Sequence, residues 1–336
     1  MTMAMTEGTG TSIWRITIGS AILLVILAFL PQFVEPYQTV LLTYGLIMAI
    51  AALGFNLLLG YTGLLSFGHS AYFGSGAYLV AFIMRDLGAH SMELCIVGGM
   101  LGTLIIAALF GFVCVRHTRI FFGILTLALS QVLWSLAFKF FWVTGGTDGI
   151  RVPYANLTLF GGLVDFKGAG SFQRFIYAYY YYVLVLFALS TFIIWVIAHS
   201  PFGKALQAIR DNETRAQFVG ISVRRYRWIA FMISGTFTGL AGILWVPLNG
   251  LTTPDILYWP FSGEIVFMSV LGGFRSFTGP IVGAVAFNYL KTYAIASTEY
   301  WQLLLGVVLV ILVMALPAGI VGTTARLTAK LGRSTK

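Results

Sequence analysis

Residues 200–226 read SPFGKALQAIRDNETRAQFVGISVRRY and lie between two strongly apolar runs. Ser200-Pro201 is a helix-start signal: a hydroxyl able to cap, then proline at the first helical position, where a missing N–H costs nothing. The spacing predicts one short helix over 204–219. At 100° per residue, Lys204, Asp211 and Arg215 share one face, and Ala205, Leu206, Ile209 and Ala216 share another. Asp211 precedes Arg215 by four residues, the favourable order for a helical ion pair. Gly220 supplies a stop, and Ser222 a cap for the next helix. A charged, partly amphipathic helix between two apolar runs reads as a connector on one side of a membrane. It is either a solvated loop held near headgroups by its arginines or a lever gripped by a soluble partner.

Composition agrees with the membrane reading. Hydrophobic residues make up 59% of the 336 and charged residues 9%, against about 25% charged in a soluble domain. A globular chain could not hide so much apolar surface, so the fold class is an all-α polytopic membrane protein. At about 20 residues per span there is room for roughly eight to ten transmembrane helices. The net charge of +9 would suggest nucleic acid in a soluble protein. Here it follows from Lys and Arg in cytoplasmic loops, and no nucleic-acid partner is expected. Cys95 and Cys114 fall in one apolar run, about 28 Å apart if it is helical, too far to bridge.

Ten spans are expected, some short or broken, within a membrane domain over 14–320. A cytoplasmic tail (1–13) precedes a first span at 14–34, which has no small-x-small cleavage site and reads as an uncleaved anchor. Further spans fall at 37–59, 92–115, 120–143, 175–198, 226–248, 261–273, 279–296 and 301–317. A periplasmic loop occupies 144–174 and a basic cytoplasmic tail 321–336. Residues 60–76, GYTGLLSFGHSAYFGSG, are too glycine-rich for a plain span yet continue apolar to Met84. They predict a third span with a broken or re-entrant start, where protein or a water-filled cavity must satisfy the backbone. Gly235, Gly239 and Gly242 fall on nearly one face and favour close helix packing.

The layout puts Arg15, Arg116, Arg119, Lys204, Arg210, Arg215, Arg224, Arg225, Arg227, Arg275 and the tail cations Arg326, Lys330, Arg333 and Lys336 inside. Arg85, Lys139, Arg151, Lys167, Arg174 and Lys291 fall outside or at outer span ends. The excess is inside, as membrane insertion favours, and both termini come out cytoplasmic. Residues 66–69 (SFGH) faintly echo 276–279 (SFTG), each opening an inner-to-outer span.

The chemistry is sparse. No phosphate-binding G-x-x-x-x-G-K-[ST] or paired-ligand metal motif occurs, and His69, His90, His117 and His199 are scattered. Gly74-Ser75-Gly76 near His69 raises an intramembrane serine hydrolase as an alternative. An ion-coupled secondary carrier is another, though midplane acids are few. The polar residues set in apolar runs, Asn56, Ser66, His69, Gln131 and Glu264, are candidates for a translocation pathway or for helix–helix hydrogen bonds.

Several segments together resemble a known family: 63–69 (GLLSFGH), 144–149 (TGGTDG), 203–213 (GKALQAIRDNE), Gly272-Gly273 with Gly279-Pro280, and 316–319 (LPAG). The chain beyond the first span is similar to the LivM-type permeases of branched-chain amino acid ABC importers. That resemblance implies a multi-pass permease of the bacterial inner membrane. Its expected partners are a LivH-like second permease, two ABC ATPase subunits, a periplasmic substrate-binding protein and the surrounding lipid. No cofactor is expected in this chain, and ATP and Mg belong to the ATPases. The chain itself is then no enzyme but an import gate for branched-chain or other hydrophobic amino acids. Residues 200–226 become a coupling segment, with Ala205, Ile209, Arg210, Asp211, Asn212, Glu213, Ala216 and Gly220 expected at the ATPase. Relatives importing urea, short amides or aromatic acids give the alternative cargo, and 288–291 (NYLK) with 299–301 (EYW) resemble the urea type.

Overall fold

Each apolar run becomes a helix because a helix satisfies every backbone hydrogen bond within itself, which a hydrocarbon solvent demands. In the computed structural model the described residues are 24–117, 119–162, 166 and 168–324. The predicted tail 1–13, most of the first span with Arg15, Lys167, and the tail from 325 with its four cations lie outside them. The principal helices are α1 (Pro36–Asn56), α2 (His69–Asp86), α3 (Met92–Cys114), α4 (Arg119–Lys139), α5 (Ser171–His199), α6 (Pro201–Asp211), α7 (Glu213–Phe218), α8 (Val223–Asn249), α9 (Trp259–Gly272), α10 (Gly279–Ser297) and α11 (Trp301–Ala315). The protein is an all-α polytopic membrane protein. Six described helices are long and apolar enough to cross a bilayer: α1, α3, α4, α5, α8 and α11 with its continuation to Thr324. The other three large helices fall short of that measure. α2 ends in Arg85 and Asp86, α10 contains Asn288 and Lys291, and α9 has only 14 residues, about 21 Å of rise.

α1 and α8 form the centre. α8 packs on α1, α2 and α3, while α1 also packs on α5 and α10, and α9 packs on α10. Lipid tails are as apolar as leucine, so close contact rather than water exclusion holds such helices together. Small residues supply it. A Cβ on Gly242 would fall on the Phe73 carbonyl, one on Gly76 on the Gly239 carbonyl, and one on Gly239 on Thr103. α3 shows α8 a matching stripe of Cys95, Gly99, Thr103, Ala107 and Gly111. Both cysteines are free and buried.

One end of the bundle carries α6, α7 and most of the described cations; we refer to it as the basic end. At the opposite end, β1 (Ile150–Arg151) pairs antiparallel with β2 (Leu251–Thr252), which ties the loop over 144–174 to the loop after α8. At the basic end, three of the glycine motifs form one backbone crossing. A Cβ on Gly273 would approach the Ala318 carbonyl, and one on Gly279 the Gly273 carbonyl. Only glycine permits that approach, which gives the 272–273, 279–280 and 316–319 segments a common structural reason.

Candidate functional site: a helix pair joined to a broken helix

α6 lies across the basic end with its apolar face inward. Leu206 and Ile209 are buried in one cluster with Leu57, Leu58 and Leu64, together with Ala216 and Val223. The helix begins as its sequence predicts: Pro201 follows Ser200, whose Oγ accepts from Gly203 N at 3.4 Å. The expected single helix over 204–219 is in fact two. The chain leaves helical geometry at Asn212 (φ −159°, ψ 103°), and Asn212 Oδ1 accepts the Arg215 N–H at 2.9 Å. An asparagine that can cap a new helix competes with continuation of the old one. The expected Asp211–Arg215 pair is therefore absent, its members being on different helices; Asp211 accepts from Arg210 at 3.2 Å instead. α7 ends at Gly220 (φ 88°) in a two-bond cap, Ile221 N to Ala216 O at 3.0 Å and Gly220 N to Gln217 O at 2.9 Å. Ser222 precedes α8, but its hydroxyl makes no capping bond, contrary to expectation.

Two polar joints hold this helix pair. Arg210 Nη1 donates to the Gly60 carbonyl at 2.5 Å. Gly60 lies in a π-helical turn, Leu57–Thr62, that ends α1. Gly63, in the left-handed region at φ 72°, sits beneath the Arg210 side chain, and a Cβ there would come within 2.9 Å of Arg210 Cγ. The second joint links α7 to the foot of α8: Arg227 Nη1 and Nη2 each donate to one Glu213 carboxylate oxygen at 2.9 Å.

From Gly63 the chain turns back into the bundle unwound, as the glycine-rich stretch predicts. Its backbone is satisfied by protein: Leu64 N donates to Leu58 O, Phe67 N to Thr126 Oγ1 and Gly68 N to Ser66 Oγ. A Cβ on Gly68 would strike backbone of α4. His69 then opens α2 with its ring fully buried. Its Nδ1 is 3.1 Å from Ser66 Oγ and its Nε2 is 2.8 Å from Ser234 Oγ on α8. The Ser70 N–H in the first turn donates to Ser262 Oγ of α9 at 2.8 Å. At the echoing position before α10, Gly279 N likewise donates to a serine, Ser276 Oγ, at 3.0 Å.

The five polar candidates therefore separate. Ser66 and His69 meet in one network that joins the break to α8. Asn56 is buried at the end of α1, beside Phe55, which packs edge-on to His69. The Asn56 Oδ1 and the Gln131 Nε2 have no hydrogen-bond partner among the described residues. Glu264 stands apart, two residues beyond Ser262 and so on the opposite side of α9. It accepts from Lys291 Nζ at 2.6 and 2.8 Å, and Lys291 also lies 5.9 Å from the Trp301 ring centroid. The sequence places Lys291 near the outer end of its span; it is the thirteenth residue of α10's 19 and bonds across to α9, a partnership that the sequence does not reveal. The hydrolase arrangement is not formed: Ser75 Oγ donates to Ala71 O at 2.6 Å, while His69 is engaged by Ser66 and Ser234.

Of the residues expected at an ATPase, Ile209 and Ala216 are buried in the joint, Ala205 and Glu213 are partly buried, and Arg210, Asp211, Asn212 and Gly220 are exposed. Phe218 and Val219 went unremarked in the sequence, yet they are 87% and 77% exposed beside Gly220. Two apolar residues against a helix-stop glycine were the available signal.

A family model described as the branched-chain amino acid transport system / permease component matches residues 38–313. The chain belongs to that permease family. The permease is 28% identical over 319 residues to the high-affinity branched-chain amino acid transport system permease protein LivM of Escherichia coli K12, covering 90% of this chain and 74% of the relative. It is 25% identical over 293 residues to LivH of Salmonella typhimurium, covering 83% and 92%. It is 23% identical over 312 residues to BraD of Pseudomonas aeruginosa, covering 84% and 93%. No solved structure matches the permease. The family match runs from the third residue of α1 nearly to the end of α11, so the α6–α7 pair, the break and the central helices all fall inside it.

Proposed function

We propose that this permease is the gate-forming membrane subunit of an ATP-driven importer for branched-chain or other hydrophobic amino acids. It does no chemistry itself. Two partner ATPases would hold ATP and its magnesium ion below the basic end, which faces the cytoplasm. A second, LivH-like permease would complete the pathway, and a periplasmic binding protein would deliver the solute. In this reading both termini are cytoplasmic and ten helices cross the inner membrane.

One observation carries the proposal: the lever is fastened at Arg210 to the broken segment and at Glu213 to α8, and His69 fastens the same two elements to each other. A push on α6–α7 therefore reaches the break and the central helix together. Rigid elements that can move between discrete packings are how such a push opens or closes a path. The test is reconstitution with cognate ATPases in vesicles. Arg210→Glu combined with Glu213→Arg should leave ATP hydrolysis running while leucine uptake is lost; normal coupled uptake would refute the lever.

A second cargo class, urea and short amides, is favoured by the approach of Lys291 to Trp301, which joins the two segments that resemble urea-type relatives. Binding of leucine, urea, amides and aromatic acids to the cognate binding protein separates the two.

A further inference from the structure

The outward stripe of α3 consists of Leu94, Val97, Leu101, Ile105, Leu109 and Phe112, each more than half exposed. It runs the length of a 23-residue helix, about 34 Å. At the basic end it stops at an arrangement that an apolar stripe alone does not require. Two guanidiniums converge on one ring: Arg116 Cζ lies 4.8 Å from the Phe112 centroid and Arg224 Cζ lies 5.6 Å from it. Arg116 comes from the turn after α3 and Arg224 from the first turn of α8. The helices that carry them are locked together one turn deeper, where Trp228 Nε1 donates to Ala108 O at 3.0 Å and Gly111 lies against Trp228 and Phe231. Both arginines are exposed, and among the described residues neither has a carboxylate within ion-pair distance. Each guanidinium rests at the ring, and among the described residues neither has a hydrogen-bond acceptor, so both keep their N–H donors for an anion.

We infer that Arg116, Arg224 and Phe112 form a binding site for an anionic phospholipid of the leaflet at the basic end. Its phosphate sits between the two guanidiniums, and its acyl chains lie along Leu109, Ile105 and Leu101. Charge and shape together select this occupant. A phosphodiester takes charge-assisted hydrogen bonds from both arginines, and its acyl chains match the apolar stripe above them. A zwitterionic lipid brings its own cation to a site that already holds two. An acidic side chain of a soluble partner supplies the charge but leaves the stripe uncovered. The site is separate from the lever's polar joints and does not depend on the proposed cargo.

Native mass spectrometry of the full-length permease in mild detergent, with any co-purifying partner chains kept, tests this directly. Titrated with phosphatidylglycerol or phosphatidylcholine, the protein should retain one phosphatidylglycerol at least tenfold more tightly. R116Q/R224Q should bring that retention down to the phosphatidylcholine level, R116K/R224K should lose part of it, and K139Q, at the far end of α4, should leave it unchanged. An unchanged thermal unfolding midpoint in R116Q/R224Q shows that the loss is of the site and not of the fold. Equal retention of both lipids, or wild-type phosphatidylglycerol retention by R116Q/R224Q, overturns the assignment. So does a photo-crosslinker at Ile105 that captures a partner protein in place of lipid.

Discussion

Arg227 and Glu213 meet through two parallel N–H···O bonds of 2.9 Å, and that pair is what fixes α7 to the foot of α8. The guanidinium is the buried member, at 6% exposure, and its Nε has no partner among the described residues. Glu213→Gln leaves that cation without its counter-charge. The carboxylate is partly open to solvent, which screens the pair, so the expected loss is about 2 kcal/mol, typical of hydrogen bonds to a charged group. Hydrogen exchange should quicken over residues 213–221 with little change in α3 or α5. Wild-type protection there would mean that α7 is held by Ala216 and Ile221 alone.

Gly63 and Gly161 make a matched pair for separating strain from coupling. Both are left-handed, at φ 72° and 71°. A Cβ on Gly63 meets Arg210, whereas one on Gly161 meets nothing within 4 Å. Alanine at either position costs about 1–2 kcal/mol of backbone strain. Only Gly63→Ala should also displace Arg210 from the Gly60 carbonyl and lower uptake per ATP hydrolysed. Equal uptake by the two variants in vesicles would place the Arg210 joint outside the transport cycle.

Hydropathy draws the long helices well. The apolar run 92–115 becomes Met92–Cys114, and 279–296 becomes Gly279–Ser297. The break after α1 is legible too, in Gly60, Gly63 and Gly68 set close together, although Gly74 and Gly76 of the same stretch sit within the regular α2. Asn212 is harder to read: the apolar positions continue in helical register across it, and only the competition of its side chain for the Arg215 N–H interrupts the helix. The joints are harder still. Arg210 with Gly60, His69 with Ser234 and Glu264 with Lys291 pair residues far apart in sequence, and packing, not local pattern, brings them together. Ser66 and His69 stand out in the sequence as polar residues in an apolar run, but that pattern does not distinguish a pathway lining from a buried brace.

As a brace, His69 makes a definite prediction. Its ring bonds Ser66 and Ser234 from a fully buried position. His69→Leu leaves two hydroxyls short of a partner in an apolar interior, Ser234 with none and Ser66 with only the Gly68 N–H, at about 1–3 kcal/mol for a group left unsatisfied. Ser234→Ala together with His69→Leu removes one of those stranded groups and should recover part of the loss. A thermal midpoint in detergent measures both. If His69→Leu unfolds at the wild-type temperature, the network is not holding the re-entrant segment against α8.

Glu264 and Lys291 offer the sharpest test, because a structural ion pair and a solute-binding one respond differently to the same substitutions. Removing one partner of a largely enclosed pair leaves an uncompensated charge and costs about 3 kcal/mol, whereas replacing both with neutral groups of similar shape can be close to neutral. Glu264→Gln and Lys291→Met should each destabilise the α9–α10 contact, and E264Q/K291M should restore the thermal midpoint. If the pair serves only the fold, transport returns with stability in the double variant. If the carboxylate and the ammonium take turns meeting a zwitterionic solute, E264Q/K291M folds normally, hydrolyses ATP with its partners and still fails to import leucine. The second result is the one expected, because a pair so costly to enclose between apolar helices is seldom kept where neutral packing would hold them equally well.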